Sequence, residues 1–494
     1  MPRRALLLCL AVPIVVSLSA STAALGNPLT PPRDQWYAEN DTGHWGGTDR
    51  IRIDESCAGL AEAEAVACSL DAFARKPFTV IAFVDSGINP YHQDFRAPEF
   101  VHHPAEYIEG YPAESQRVDL SFDVADTEGY DPARDADYDT LADLQRDQLY
   151  WFPGTRIIGG LSVSSGGTGA GRQDFAVVDE NGHGTGVSSV AAGQWYGANP
   201  NALIVMIEGL GMTGVRWAAS QPWIDVVSNS WGPGLPGRAE PPSDMDATRE
   251  STRRGQSILF SAGNGVYNTN SSTVPWGSSD PCNCKIPTHN STFTSNGSGP
   301  SWHITVGAAS PVNGQAHWWH GIPPDVMSFG SKWRAADGFG ITRDDNRDFG
   351  GTSCATPITG GVLSSVILAA REVLGDTVSG QRPDGVVAQA TAGAALPAEG
   401  PLADGALTRA EAEELALKSA EPVAFDPETF TWDYAVDPTT DTYFVQQGYG
   451  LVDADSRARA LAALLGETSL RDRADVDAWL AQRDALANAV WGAP

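Results

Sequence analysis

A chain of 494 residues, 42% of them hydrophobic, carries enough apolar mass for one large α/β domain or two smaller ones, which excludes disorder throughout. Its 61 acidic side chains outnumber 32 basic ones, giving a formal charge of −29. That excess repels phosphate backbones and anionic bilayers, so nucleic acid is not an expected partner. The basic residues are nearly all arginine, and the acidity reads as a solvated, aggregation-resistant surface.

At the N-terminus, Arg3 and Arg4 precede an apolar run from Ala5 to Ser17 and then small residues from Ser19 to Ala24, the pattern of a signal peptide. The run falls short of the roughly 20 apolar residues a spanning helix needs. Residues 1–26 are therefore read as a cleaved signal peptide, with a retained anchor as the alternative, and the mature protein as secreted, free of the membrane and monomeric. Beyond Cys9, five cysteines remain. Cys57 with Cys68 and Cys282 with Cys284 suggest up to two disulfides of open connectivity, Cys354 is the free thiol, and no histidine-cysteine cluster has zinc-ligand spacing.

Residues 27–76 form an N-terminal extension. The run Phe-Thr-Val-Ile-Ala-Phe-Val at 78–84 is apolar, rich in β-branched residues and bounded by turn formers, which predicts a strand buried on both faces of a parallel sheet. Similar runs stand at 202–207, 224–227, 257–260 and 303–306, alternating with helical patterns at 184–193, 244–254, 353–373, 409–419 and 453–465. Strands alternating with helices predict a three-layer α/β fold with a central, mostly parallel sheet and helices on both faces. Functional groups in such sheets gather at the carboxyl ends of strands, where Asp85 stands.

Residues 96–155 read as a surface insertion rich in acidic and aromatic residues. Its alternating aspartates invite a calcium-loop reading, but an EF-hand counted from Asp135 needs Gly and Glu where Thr140 and Arg146 stand, so a solvated loop is preferred. The tail, 466–494, has the spacing of an amphipathic helix, with Leu470, Val476, Trp479, Leu480 and Leu486.

Three blocks set a reactive residue among glycines: Val84-Asp85-Ser86-Gly87, Asn181-Gly182-His183-Gly184-Thr185 and Gly350-Gly351-Thr352-Ser353-Cys354. A serine hydroxyl attacks an amide only after a base takes its proton. Histidine titrates in the right range to do so, and a carboxylate fixes its tautomer. A serine at a helix start also places backbone N–H groups near developing negative charge.

These blocks, in the order Asp, His, Ser, resemble the signatures of the subtilisin-like serine peptidases, the subtilases. A fourth block, Ser261-Ala262-Gly263-Asn264-Gly265, resembles the oxyanion segment of that family. The resemblance implies a subtilisin-like fold over 77–465 and a secreted serine endopeptidase of protein or peptide substrates. In it Asp85 would orient His183, His183 would act as base and acid, Ser353 as nucleophile and Asn264 as oxyanion donor. Val226-Val227-Ser228-Asn229-Ser230-Trp231-Gly232 resembles the substrate-pairing strand, so Ser230, Trp231, Gly232 and Gly263 are expected to line the cleft. Gly448-Tyr449-Gly450 resembles the family's closing motif.

Gly186 stands where the family usually has a second histidine, and Cys354 where methionine is common; Cys354 is assigned to packing. No cofactor is required. Asp94 matches an aspartate that binds calcium in some subtilisins, which leaves a structural calcium open. His92, His303, His317 and His320 are read as packing or surface residues. Two rival readings stand beside it: a pseudo-protease scaffold, disfavoured by the intact reactive residues, and a sedolisin-like acid peptidase, which would carry glutamate in place of His183.

Overall fold

The computed structural model describes residues 77–97, 100–120, 141, 144–163, 177–179, 181–231, 242–264, 273–275, 285–287, 301–310, 314, 316, 324–331, 333–338, 346–423 and 447–493. The signal peptide, the extension and the four paired cysteines expected at 57, 68, 282 and 284 lie outside them, as do Gly232, His317, His320 and the aspartates at 131, 135, 137, 139 and 143.

Fifteen strands are described: β1 (Val80–Asp85), β2 (Gln116–Arg117), β3 (Tyr150–Trp151), β4 (Ile157–Ser162), β5 (Leu203–Glu208), β6 (Val226–Asn229), β7 (Ser257–Ser261), β8 (Thr273–Pro275), β9 (Lys285–Pro287), β10 (His303–Ala309), β11 (Val326–Phe329), β12 (Trp333–Ala336), β13 (Asn346–Phe349), β14 (Val386–Gln389) and β15 (Ala406–Thr408). Nine make one sheet in the order β11-β10-β7-β6-β1-β5-β4-β3-β2, parallel except where β3 meets β4. The rest pair as the hairpins β8-β9, β12-β13 and β14-β15.

The helices are α1 (His183–Ala192), α2 (Met212–Ser220), α3 (Pro242–Arg253), α4 (Thr352–Leu374), α5 (Arg409–Lys418), α6 (Ala454–Leu464) and α7 (Ala474–Trp491). Alternation along β1 divides them between the sheet's faces, since successive strand residues point to opposite sides. Ile81 and Phe83 join the core formed with α1, α4, α5, α6 and α7. Val80, Ala82 and Val84 join the core beneath α2. Both faces of β1 are thus dry, which explains its unbroken apolar run.

Local sequence sets the helix ends. Thr408 with Glu411 and Asp453 with Ser456 form capping boxes that satisfy first-turn N–H groups of α5 and α6. α4 stops at Gly375, whose left-handed conformation returns its N–H to the Arg371 and Glu372 carbonyls. α4 is long and apolar enough to cross a membrane, but it runs buried through the core.

The predicted strands and helices are present within two residues at most boundaries; in the tail read as helical over 466–494 the helix is shorter, Ala474–Trp491, with Val476, Trp479 and Leu480 buried. The segment 96–155 departs from a purely surface insertion. Phe100, Ile108 and Tyr111 pack into the α2-side core, and β2 and β3 extend the sheet edge. Among the described residues, Phe100, Tyr111, Tyr150, Trp151 and Phe152 are the buried footing of the segment.

Candidate active site

Asp85 ends β1 and is 1% exposed. The next turn must pass close beneath the start of α1. A Cβ on Gly184 would lie 2.1 Å from the Gly87 carbonyl oxygen, so only glycine permits that approach. The approach brings His183, the first residue of α1, to Asp85: Nδ1 to Oδ1 is 2.7 Å. Asp85 Oδ1 also accepts the Ser86 N–H at 2.8 Å. With Nδ1–H held by a carboxylate, the lone pair of a neutral imidazole sits on Nε2.

A second carboxylate organises the same corner. Asp179, 1% exposed, accepts from Ser86 Oγ, the N–H groups of Asn181, Gly182 and Thr185, and Thr185 Oγ1, at 2.7 to 3.1 Å. Ser86 Oγ in turn accepts the Gly184 N–H at 2.9 Å. Asp179 therefore ties the Asp85 turn to the first turn of α1. It is not among the residues that the sequence motifs single out. Its signal was a carboxylate four positions before His183, spaced to meet unpaired N–H groups.

These charges set the histidine. Burial alone lowers its pKa, but the charge and hydrogen bond of Asp85, joined by the charge of Asp179, outweigh burial and the opposing Arg347, and the pKa lies above the ordinary imidazole value.

Ser353 stands in the first turn of α4, 7% exposed. Its Oγ donates to the Ser230 carbonyl at 3.1 Å, while Ser230 Oγ donates to the Ser353 carbonyl at 3.0 Å. Among the described residues no hydrogen bond joins Ser353 Oγ to His183. The two residues stand in the first turns of helices α1 and α4, which pack together.

Asn264 follows β7. Its Oδ1 accepts from Thr352 N–H and Thr352 Oγ1, both at 2.8 Å, and Thr352 Oγ1 accepts the Gly263 N–H at 3.2 Å. A backbone N–H can only donate, so the amide oxygen must face Thr352, leaving Nδ2 as a donor on the other side. Nδ2 would lie 2.8 Å from a Cβ on Gly351.

Through these bonds Ser230 borders Ser353 and Gly263 borders its neighbour Thr352, and the half-buried Trp231 packs edge-on against Phe260, ring centroids 5.9 Å apart. Cys354, buried beside Ser353, is the free cysteine among the described residues, and burial pushes its thiol well above the ordinary range.

Asp94, the residue behind the open calcium reading, has protein donors on both carboxylate oxygens. Its Oδ1 accepts the Trp195 N–H at 2.8 Å and Oδ2 the Ser189 hydroxyl at 2.6 Å, with the charge of Arg156 nearby. Among the described residues, no group of three or more His, Cys, Asp or Glu side chains comes together to hold a metal. The carboxylate is served by protein donors instead.

The large, mostly parallel sheet with helices on both faces, carrying carboxylate, imidazole and hydroxyl at its carboxyl edge, is the architecture of a serine hydrolase of the α/β class. The subtilase family model matches residues 78–379, more than half of the chain. The chain belongs to the subtilase family and is a serine-type endopeptidase, acting on protein or peptide substrates. No curated protein matches it at a significant level.

Proposed function

We propose that Ser353 is the nucleophile of this endopeptidase, His183 its general base and acid, Asp85 the carboxylate that orients His183, and Asn264 the side-chain donor to the oxyanion. The observation that carries the reading is the 2.7 Å bond from His183 Nδ1 to Asp85 Oδ1, which leaves Nε2 as the basic nitrogen.

In this reading a turn about the Ser353 Cα–Cβ bond takes Oγ from the Ser230 carbonyl to Nε2. As Oγ attacks the scissile carbonyl carbon, its proton passes to Nε2, and the new oxyanion accepts a hydrogen bond from Asn264 Nδ2. The imidazolium, stabilised by Asp85, gives that proton to the departing amine, leaving an acyl-enzyme. Water then repeats the sequence, losing a proton to His183 and releasing the acid product and Ser353. Ser230, Trp231 and Gly263 line the substrate cleft, with Gly232 continuing that segment.

Two measurements test this together. A serine-directed phosphonate should label Ser353 in the folded protein, and Ser353→Ala should lower kcat on a peptide library by about 10⁶, the scale of such a loss in a subtilisin. Undiminished cleavage by Ser353→Ala would remove the assignment. We further propose that the enzyme is secreted after loss of residues 1–26, supported by Arg3, Arg4 and the apolar run that follows. Mass spectrometry of exported protein should find a mature N-terminus close to residue 27; one that retains Met1 to Ser17 would mean an anchor.

A further inference from the structure

The β12-β13 hairpin lies over α1, and its second strand runs straight into the Gly350-Gly351-Thr352-Ser353 turn. Its register pairs buried Trp333 with Phe349 and Ala335 with Arg347. Two residues apart on a strand, Arg347 and Phe349 share a face. Phe349, 5% exposed, meets the His183 ring edge to face, with centroids 5.4 Å apart and planes at 65°. The Arg347 guanidinium lies 5.6 Å from the centroid of the Phe349 ring, and its Nη2 donates to the Gly182 carbonyl at 3.0 Å. Phe349 also fills the space beside Gly186: a Cβ there would lie 2.9 Å from two ring carbons. The missing second histidine and this phenylalanine are one packing decision.

We propose that Phe349, backed by Arg347, is a positioning residue for the imidazole of His183. The inference rests on His183 being the base. Asp85 grips one nitrogen of the ring, which fixes the tautomer but leaves the ring free to swing about that bond. Phe349 closes the swing from the side. Because Phe349 is four residues before Ser353 in one continuous segment, the element that braces the base also places the nucleophile. Arg347 locks the brace to the residue preceding His183. The charged groups facing His183 are Asp85 on β1, Asp179 before α1 and Arg347 on β13, and Arg347 alone of the three disfavours the imidazolium.

The test uses the full chain, with kcat, KM and the pH profile of kcat/KM measured for Phe349→Ala, Phe349→Leu, Phe349→Tyr, Arg347→Gln and Arg347→Lys. Phe349→Ala should lower kcat by about 10- to 100-fold, the scale of a small misplacement of a catalytic group, with KM little changed. Phe349→Tyr should restore it. Arg347→Gln should move the acid limb to higher pH, since a cation opposing the imidazolium is gone, and Arg347→Lys should leave the limb in place while lowering kcat. In a Ser353→Ala background, the downfield Nδ1 proton resonance of His183 should broaden in Phe349→Leu, a variant that keeps most of the core volume should Phe349→Ala not fold. Folded Phe349 variants with wild-type kcat and an unbroadened resonance would overturn the proposal, as would a loss confined to KM. Substantial activity in Ser353→Ala, run alongside, would instead overturn the assignment of the site itself.

Discussion

Ser230 and Ser353 hold one another by two reciprocal hydrogen bonds, each hydroxyl donating to the carbonyl of the other. One half has a structural cause. Pro357, inside α4, has no N–H to give the Ser353 carbonyl four residues earlier, and the Ser230 hydroxyl takes its place. Ser230→Ala should therefore strand a buried carbonyl and cost about 1–3 kcal/mol. Urea unfolding of the inactive Ser353→Ala protein with and without that change measures the cost; equal midpoints would show that the bond contributes nothing.

Gly351 has φ +83°, and a Cβ on it would lie 2.8 Å from Asn264 Nδ2. Gly351→Ala both strains the turn and displaces the donor. Its kcat should fall at least as far as that of Asn264→Ala, for which loss of the proposed oxyanion donor predicts about 10²–10³-fold. Combining the two changes should cost less than the product of the separate losses, because the second acts on a donor already gone. A fully multiplicative double mutant would mean the two positions act independently.

The raised pKa of His183 links activity and stability in opposite directions. A folded-state pKa above the unfolded value means that this group's contribution to stability is complete below about 6.5 and is lost as pH rises through the folded value. The neutral imidazole that the proposed role as base requires appears over the same rise. In the Ser353→Ala protein, which cannot digest itself, Tm should decline across that window, and Asp85→Asn should flatten the decline. An unchanged slope in Asp85→Asn would assign it to another group.

Arg371 of α4 and Asp225, both without solvent exposure, are joined at 2.5 Å beneath the amino ends of β1 and β6. The same carboxylate accepts the N–H groups of Val80 at 2.9 Å and Gly380 at 2.8 Å. Arg371→Met leaves that carboxylate buried and short of its counter-charge, so stability should fall by about 3–5 kcal/mol. The urea midpoint should drop with the slope unchanged. A loss below 1 kcal/mol would show that the site relaxes to admit water.

Cys354 should resist alkylation in the native protein at pH 8 and react after unfolding, because burial keeps its thiol protonated. Cys354→Ala should keep kcat near that of the wild type. Rapid native labelling with loss of activity would place the thiol in the chemistry instead.

The sequence by itself determined the central strands and the core helix, because β1, β5 and β7 carry short apolar runs that only a doubly covered sheet can use, and α4 is long and apolar enough to run through a core. It also singled out Asp85, His183 and Ser353 as candidates, since each lies in a short glycine-rich block whose chemistry is local. α2, β4 and the β12-β13 hairpin were not legible. Met212–Ser220 mixes Gly, Arg and Trp, β4 contains two glycines, and the hairpin strands are short and half-polar. Only the tertiary structure decided that Asp179 ties the Asp85 turn to α1, that Phe349 occupies the space beside Gly186, and that Asp94 is served by Ser189 and Trp195. These are relations between residues distant in the chain, and their energies come from burial and from hydrogen bonds that no local pattern records.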